Sequence, residues 1–353
     1  MVPGLTARQE RPPRATIADI ALKASVSKTT VSRALNGKPD IDHQTRLRIF
    51  EIASAVGYVP SASAQALAKG RSDCVGLLVP ALTWPWMLEI LRGVAESVER
   101  SSYSLMLYTM AGGEESQREF AEKVIPAGAV DGLAIVLPPG MLESISNLTK
   151  NGLPVVLIDD RGHHAEFPSV VTTNREGGLE ATKHLLGLGR RRIAMLTGPL
   201  EYGCNQDRLE GYRGALGEAG LRFDQRLVRE GDFTETGGAR AISDLFDAGQ
   251  DFDAIFAAND LMAFGAMRSL RAGGRRIPED VAVVGFDDIP AAAQTHPPLT
   301  TVHQPLYEMG MAATSMLIAA LKDGRPLEMR VEFPTSLVIR GSCGAHSPAK
   351  LRR

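Results

Sequence analysis

Cysteine is scarce in this chain. Cys74, Cys204 and Cys343 are its three, far apart and in no metal or redox spacing. That excludes a disulfide framework and a zinc finger, and free thiols are expected. Aromatic residues are only 5% of the total, a level that suits an α/β chain and argues against a β-sandwich. No apolar run reaches membrane-spanning length, and the N-terminus lacks the apolar core of a signal peptide. A cytoplasmic protein with no membrane partner is expected. Signatures of catalysis are missing as well. There is no phosphate loop and no G-x-S-x-G elbow, and LGLGRRR lacks the third glycine of a dinucleotide fingerprint. Asp159-Asp160 and Asp287-Asp288 are adjacent pairs. Neighbours on a strand point to opposite faces, so neither pair is a catalytic dyad. His163 and His164 are consecutive, not four apart on a helix as in the zinc motif. The expectation is no enzyme, no catalytic or metal-ligating residue and no cofactor.

Net charge is small too, −2 over 353 residues, but it is unevenly spread. Residues 11–71 hold ten Lys and Arg against four Asp and Glu, which leaves the remainder acidic. A basic segment ahead of an acidic body is the footprint of a polyanion reader with a separate second function. The basic segment opens with TIADIALKASVSKTTVSRAL, residues 16–35. Thr16 is a plausible N-cap with Asp19 as its box partner. Ile17, Ile20, Ala21 and Ala24 then recur at helical spacing. Ser25-Val26 is a tight break, and Ser27 caps a second helix. Val31, Ala34 and Leu35 face inward there, while Lys28, Thr29, Ser32 and Arg33 face outward. Such a polar helix start suits base edges and phosphates; on this spacing alone, a small surface helix pair with a solvated face also fits. Asn36-Gly37 stops the helix. Asp42 caps a third, with Ile49, Ile52, Ala53 and Val56 on its buried side, and Gly57-Tyr58-Val59-Pro60 ends it. SASAQALAKGRS follows, helix-favouring but too short to stand alone in water.

From about residue 73 the rhythm changes. CVGLLVP, SLMLYT, DGLAIVL and PVVLID are short continuous apolar runs, separated by helical stretches at 86–100 and 114–126. The pattern restarts after residue 175 with RRIAMLTG, DAIFAAN and VAVVGFD, and helices are expected near 176–188, 207–219, 236–248 and 260–273. Buried runs alternating with amphipathic helices indicate parallel β-α-β units. Two such halves face each other across a cleft, and ligands bind beyond the carboxyl ends of parallel strands.

VSKTTVSRALNG and GYVPSASAQALAKGRS resemble the headpiece and hinge of the LacI/GalR family of bacterial transcription regulators. GPLEYGCNQDRLEGYRGAL, IFAANDLMAFGAM, VAVVGFDD and PPLTTVHQP extend the resemblance over residues 15–343. It implies a helix-turn-helix headpiece with a hinge helix, then a two-subdomain, periplasmic-binding-protein-like α/β domain with parallel sheets. The expected boundaries are a disordered extension at 1–14, headpiece 15–60, hinge helix and linker 61–72, effector-binding and dimerisation domain 73–343, and tail 344–353. The resemblance places the subdomains at about 73–162 with 304–326, and about 163–303 with 327–343, so that the chain crosses between them near residues 162, 303 and 327. The expected DNA-contacting set is Thr16, Ser27, Lys28, Thr29, Thr30, Ser32, Arg33, Asn36, Tyr58, Ser61, Ala64 and Leu67. Lys28 and Thr29 match half-site reading positions, and Leu67 matches the family's minor-groove wedge. Ser61 stands where the family usually has Asn. The expected effector-contacting set is Trp86, Asp159, Tyr202, Arg208, Phe233, Asn259 and Asp287. Acidic hydrogen-bonders beside aromatics fit a neutral carbohydrate, and Tyr202 stands where purine-binding relatives use Arg. For Asp260 and Asp288 a helix-capping role is an equal alternative, and for Trp84 a surface or dimer contact. The tail has no heptad pattern, so a homodimer is expected. The function implied is a repressor released from a palindromic operator by a sugar. A corepressor-dependent regulator is the alternative, and a stand-alone sugar-binding protein would need an export signal and no basic headpiece.

Overall fold

In the computed structural model, residues 15–59, 70–80, 82–110, 115, 120, 128–136, 142–159 and 166–345 are described. The expected N-terminal extension, the hinge with Ser61, Ala64 and Leu67, most of the 114–126 helix, His163-His164 and most of the tail lie outside these residues. The chain divides into two compact units, Met1–Ser72 and Asp73–Arg353.

In the first unit, α1 (Ile17–Ala24), α2 (Lys28–Leu35) and α3 (His43–Ala55) surround a small core. Ile20, Ala21, Ala24, Val31, Ala34, Ile49 and Ala53 are buried in it, and Ile52, Val56 and Tyr58 pack against it. Local chemistry sets each helix start. The Thr16 hydroxyl accepts from the Asp19 backbone N–H, and Asp19 Oδ2 accepts from the Thr16 N–H at 2.8 Å, which completes a capping box. Ser27 caps α2 through the Thr30 N–H, and Asp42 caps α3 through the Thr45 N–H. Ser25 turns the chain between α1 and α2 with φ 53°. Arg48 donates to the Ala24 carbonyl at 2.8 Å, closing the end of α1.

The second unit holds two six-stranded sheets. The first contains β1 (Cys74–Val79), β2 (Ser104–Thr109), β3 (Gly132–Val136), β4 (Val155–Ile158), β5 (Ser169–Thr172) and β11 (Arg330–Phe333), in the order β11-β5-β4-β3-β1-β2 and all parallel. Helices α4 (Met87–Glu99), α5 (Leu142–Lys150) and α10 (Leu306–Asp323) belong with it. The second sheet contains β6 (Ile193–Thr197), β7 (Val228–Glu230), β8 (Ala254–Ala257), β9 (Ala282–Asp287), β10 (Thr300–His303) and β12 (Ser336–Val338), in the order β12-β10-β9-β8-β6-β7. Only β12 runs antiparallel. Its helices are α6 (Asn174–Gly187), α7 (Gly203–Glu218), α8 (Glu235–Asp247) and α9 (Asp260–Ala272). Central strands such as Leu77, Ile135, Val156, Met195, Phe256 and Val284 are buried on both faces, as helices on both sides of a sheet require.

Two expectations need correction. The subdomain boundaries at 162 and 327 are displaced, because β5 pairs with β4 and β11 pairs with β5 in the first sheet. The crossings therefore fall near 173, 304 and 334. The run SLMLYT is a strand, but an edge strand with partly exposed side chains rather than a buried one: β1 covers one side only.

Candidate functional site

Two surfaces gather the candidate residues. On the headpiece, Lys28, Thr29 and Arg33 are exposed along α2, and Ser32 is half-buried beside them. Several hydroxyls expected on DNA are already used locally. Thr16 and Ser27 are caps, the Thr30 hydroxyl lies 2.9 Å from that of Ser27, and Asn36 donates to the Ser32 carbonyl at 2.9 Å. Their first task is to fix the start and end of the helix that carries Lys28 and Thr29. Arg33 donates through Nε to Asp40 Oδ2 at 2.7 Å, and this bond holds the Asp40 carboxyl below its usual range. Tyr58 is half-buried against the headpiece core.

The second surface is a cleft between the two sheets, built from strand ends and from the turns and helix start that follow them. The turn after β1 supplies Trp84 and Trp86, and Asp159 follows β4. The start of α7 supplies Cys204 and Arg208, and the loop after β7 supplies Phe233. Asn259 joins β8 to α9, Asp287 ends β9, and Gln304 follows β10; all nine residues line one cavity. The cavity is narrow, about 20 Å³, enough for one water molecule and far less than a sugar ring.

Burial makes the polar groups of this cleft specific. Arg208 is buried; its Nε donates to Asn174 Oδ1 at 2.9 Å, its Nη1 to the Ala258 carbonyl at 2.6 Å, and its guanidinium lies 3.8 Å over the Phe286 ring. Asp287 accepts from Gln304 Nε2 at 2.7 Å. Burial raises its pKa to about 7, against the lowering effects of Arg208 and the Gln304 bond, and Asp159 pushes it further up. Burial and the nearby Asp159 raise the Cys204 thiol to about 12, so it is protonated and inert as a nucleophile. Asn259 is both lining and scaffold: its Oδ1 caps α9 through the Met262 N–H, and its Nδ2 donates to the Phe233 carbonyl, each at 3.0 Å.

Backbone strain marks the same place. Among the described residues six non-glycines have positive φ. Asp159 at 55°, Phe233 at 64° and Asp287 at 113° line the cavity, and Asp288 at 59° adjoins it. Conformations that cost about 1–3 kcal/mol each persist where function needs them.

Six of the seven expected effector residues thus line one cavity. Tyr202 does not; it packs edge-on to Phe233, with centroids 5.4 Å apart at 77°, and reaches the core of the first subdomain. The capping alternatives for Asp260 and Asp288 fail. Asn259 is the cap of α9, whereas Asp260 is buried, accepting from Thr301 Oγ1 and the Ile289 N–H. Burial raises its pKa well above the usual range, with Asp287 adding to the effect. Burial tends to raise Asp288 too, but His303 and Arg340 bind its carboxylate and hold it low. Cys204 and Gln304 join the expected residues, and Trp84, open in the sequence between the cleft and a surface or dimer contact, lines the cleft. The pairing of both tryptophans of the chain in W-P-W was the available signal for Trp84. Gln304 sits at the crossing expected near residue 303, but no motif marked its side chain as a cleft residue.

Among the described residues no group of three or more His, Cys, Asp or Glu could hold a metal ion, and no helix is long and apolar enough to cross a membrane. Residues 16–61 match the model of bacterial regulatory proteins of the lacI family, and residues 182–343 match a periplasmic binding protein-like domain. The chain is 34% identical to the HTH-type transcriptional regulator CelR of Thermobifida fusca, over 94% of this chain and 99% of that one. A solved transcriptional regulator CelR–cellobiose complex is similar at 34% identity and TM-score 0.71, covering 93% of this chain and 100% of that one. A lac repressor dimer bound to operator and the anti-inducer ONPF is similar at 27% identity and TM-score 0.81, covering 94% and 99%.

Proposed function

The chain belongs to the lacI family of bacterial regulatory proteins, a transcription regulator and not an enzyme, and from that premise we propose that it is a repressor released from its operator by a disaccharide. The observation that carries the ligand class is the cleft itself. Asp159, Asp287 and Arg208 can chelate neighbouring hydroxyls, and an indole wall beside them suits the C–H face of a pyranose. The likeness to a regulator solved with cellobiose supports a two-ring sugar. In this reading the protein works as a homodimer. Two copies of α2 lie in successive major grooves of a palindrome, with Lys28 and Thr29 at base edges and Arg33 beside them. Sugar between the two sheets shifts one subdomain on the other, and the operator is released.

Fluorescence anisotropy on the chain's own upstream intergenic DNA, titrated with mono- and disaccharides, tests the reading. A β-linked glucose disaccharide is expected to lower operator affinity at least tenfold, with monosaccharides weaker. A sugar that tightens DNA binding would make the ligand a corepressor, and silence across the whole panel would remove the carbohydrate assignment.

A further inference from the structure

The stacking role expected of Trp86 passes, on geometry, to its neighbour. Trp86 and Trp84 stack with ring centroids 5.7 Å apart and planes at 23°. One face of Trp84 is therefore backed by Trp86. Trp84 also lies 6.2 Å from Phe233 of the second subdomain, centroid to centroid, with planes at 59°. Phe233 in turn meets Tyr202 edge-on. The four rings form a chain from the first subdomain to the second.

We propose that Trp84 is the specificity-determining platform of the cleft. The effector ring stacks on its cleft-side face in place of Phe233, while Trp86 serves as the rigid backing. This inference rests on the sugar-binding reading above and deepens it. The cavity of about 20 Å³ cannot admit a ring while Trp84 touches Phe233. Insertion must part the two by roughly one ring thickness, ~3.5 Å at van der Waals contact. The exchange replaces an aromatic contact between subdomains by an aromatic–sugar contact within the first. A ligand without an apolar ring face gains nothing from that exchange, so the platform selects sugars over linear polyols that present the same hydroxyls to Asp159, Asp287 and Arg208.

The chain has two tryptophans, both at this site, so single substitutions give site-specific optical probes. In full-length Trp86→Phe, cellobiose is expected to quench or shift the emission of Trp84 and to bind within about threefold of wild type. In Trp84→Phe, an aromatic platform is kept, and affinity should again fall only a few-fold, with little change in the emission of Trp86. In Trp84→Ala, calorimetry should show at least tenfold weaker binding of cellobiose. Wild-type affinity in Trp84→Ala, or an emission response confined to Trp86, would overturn the platform while leaving the sugar-binding reading intact. Failure of wild type to bind any sugar by calorimetry would remove both.

Discussion

Asp287 sits where two demands meet. It must be buried to face a ligand away from water, and burial resists its charge. Its pKa of about 7 puts that conflict at neutral pH. The folded chain holds this proton up to about pH 7, while the unfolded chain releases it near the ordinary value of 3.8. The stability it contributes is thus complete at low pH and is lost as pH rises from about 4 through about 7. Ligand binding should run the other way, because a sugar hydroxyl donates best to the ionised carboxylate. Effector affinity is expected to rise about tenfold between pH 6 and pH 8, with proton release detectable by calorimetry in buffers of different ionisation enthalpy. Asp287→Asn should flatten that profile. Affinity independent of pH in the wild type would mean that binding changes no proton at Asp287.

At the scale of elements, the helices pack in pairs through reciprocal glycines. A Cβ at Gly93 of α4 would strike the Tyr307 carbonyl of α10, and one at Gly310 of α10 would strike the Ile90 carbonyl of α4. Gly178 and Gly211 do the same for α6 and α7, and Gly238 and Gly265 for α8 and α9. Each crossing brings backbone to backbone, which a methyl group prevents. Gly211→Val is expected to cost about 3 kcal/mol, read as a lowered denaturant midpoint. Gly217→Ala on the same helix meets nothing within 4 Å and should be neutral or stabilising by about 0.5–1 kcal/mol. Equal effects would show that close approach is not what the glycines provide. How much of this could be read beforehand follows from the range of each cause. The caps Thr16, Ser27 and Asp42 act over three residues, so sequence showed them. Central strands are continuous apolar runs and were equally plain. SVVT and RVEF were missed because β5 is four residues long and β11 alternates charge with apolar residues at a sheet edge. Missing those two strands displaced two crossings. It also hid one partner of Gln304, whose Oε1 accepts from Thr172 at the end of β5 while its Nε2 donates to Asp287. Arg208 on α7 and Asp287 at the end of β9 were legible through family resemblance. Trp84 depended on how two indoles stack, which spacing does not encode.

For the whole molecule, the two units answer to different partners, and a repressor needs their affinities to be coupled. If sugar weakens operator binding by a given factor, operator must weaken sugar binding by the same factor. Calorimetric titration of sugar into protein saturated with operator should therefore return the factor found by anisotropy. A mismatch would place the effect outside a two-state equilibrium. The threading of the second unit carries another consequence, one that concerns the ribosome. The first sheet begins at Cys74 but needs Arg330–Phe333 for its last strand, whereas most of the second sheet is contiguous, Ile193–His303. During synthesis the subdomain started first waits for a strand near the end of the chain, and only the short β12 of the second sheet follows it. Its β5 edge stays unpaired until nearly the whole chain has emerged, and a nascent chain stalled before residue 330 presents that bare strand to any neighbour able to add to it.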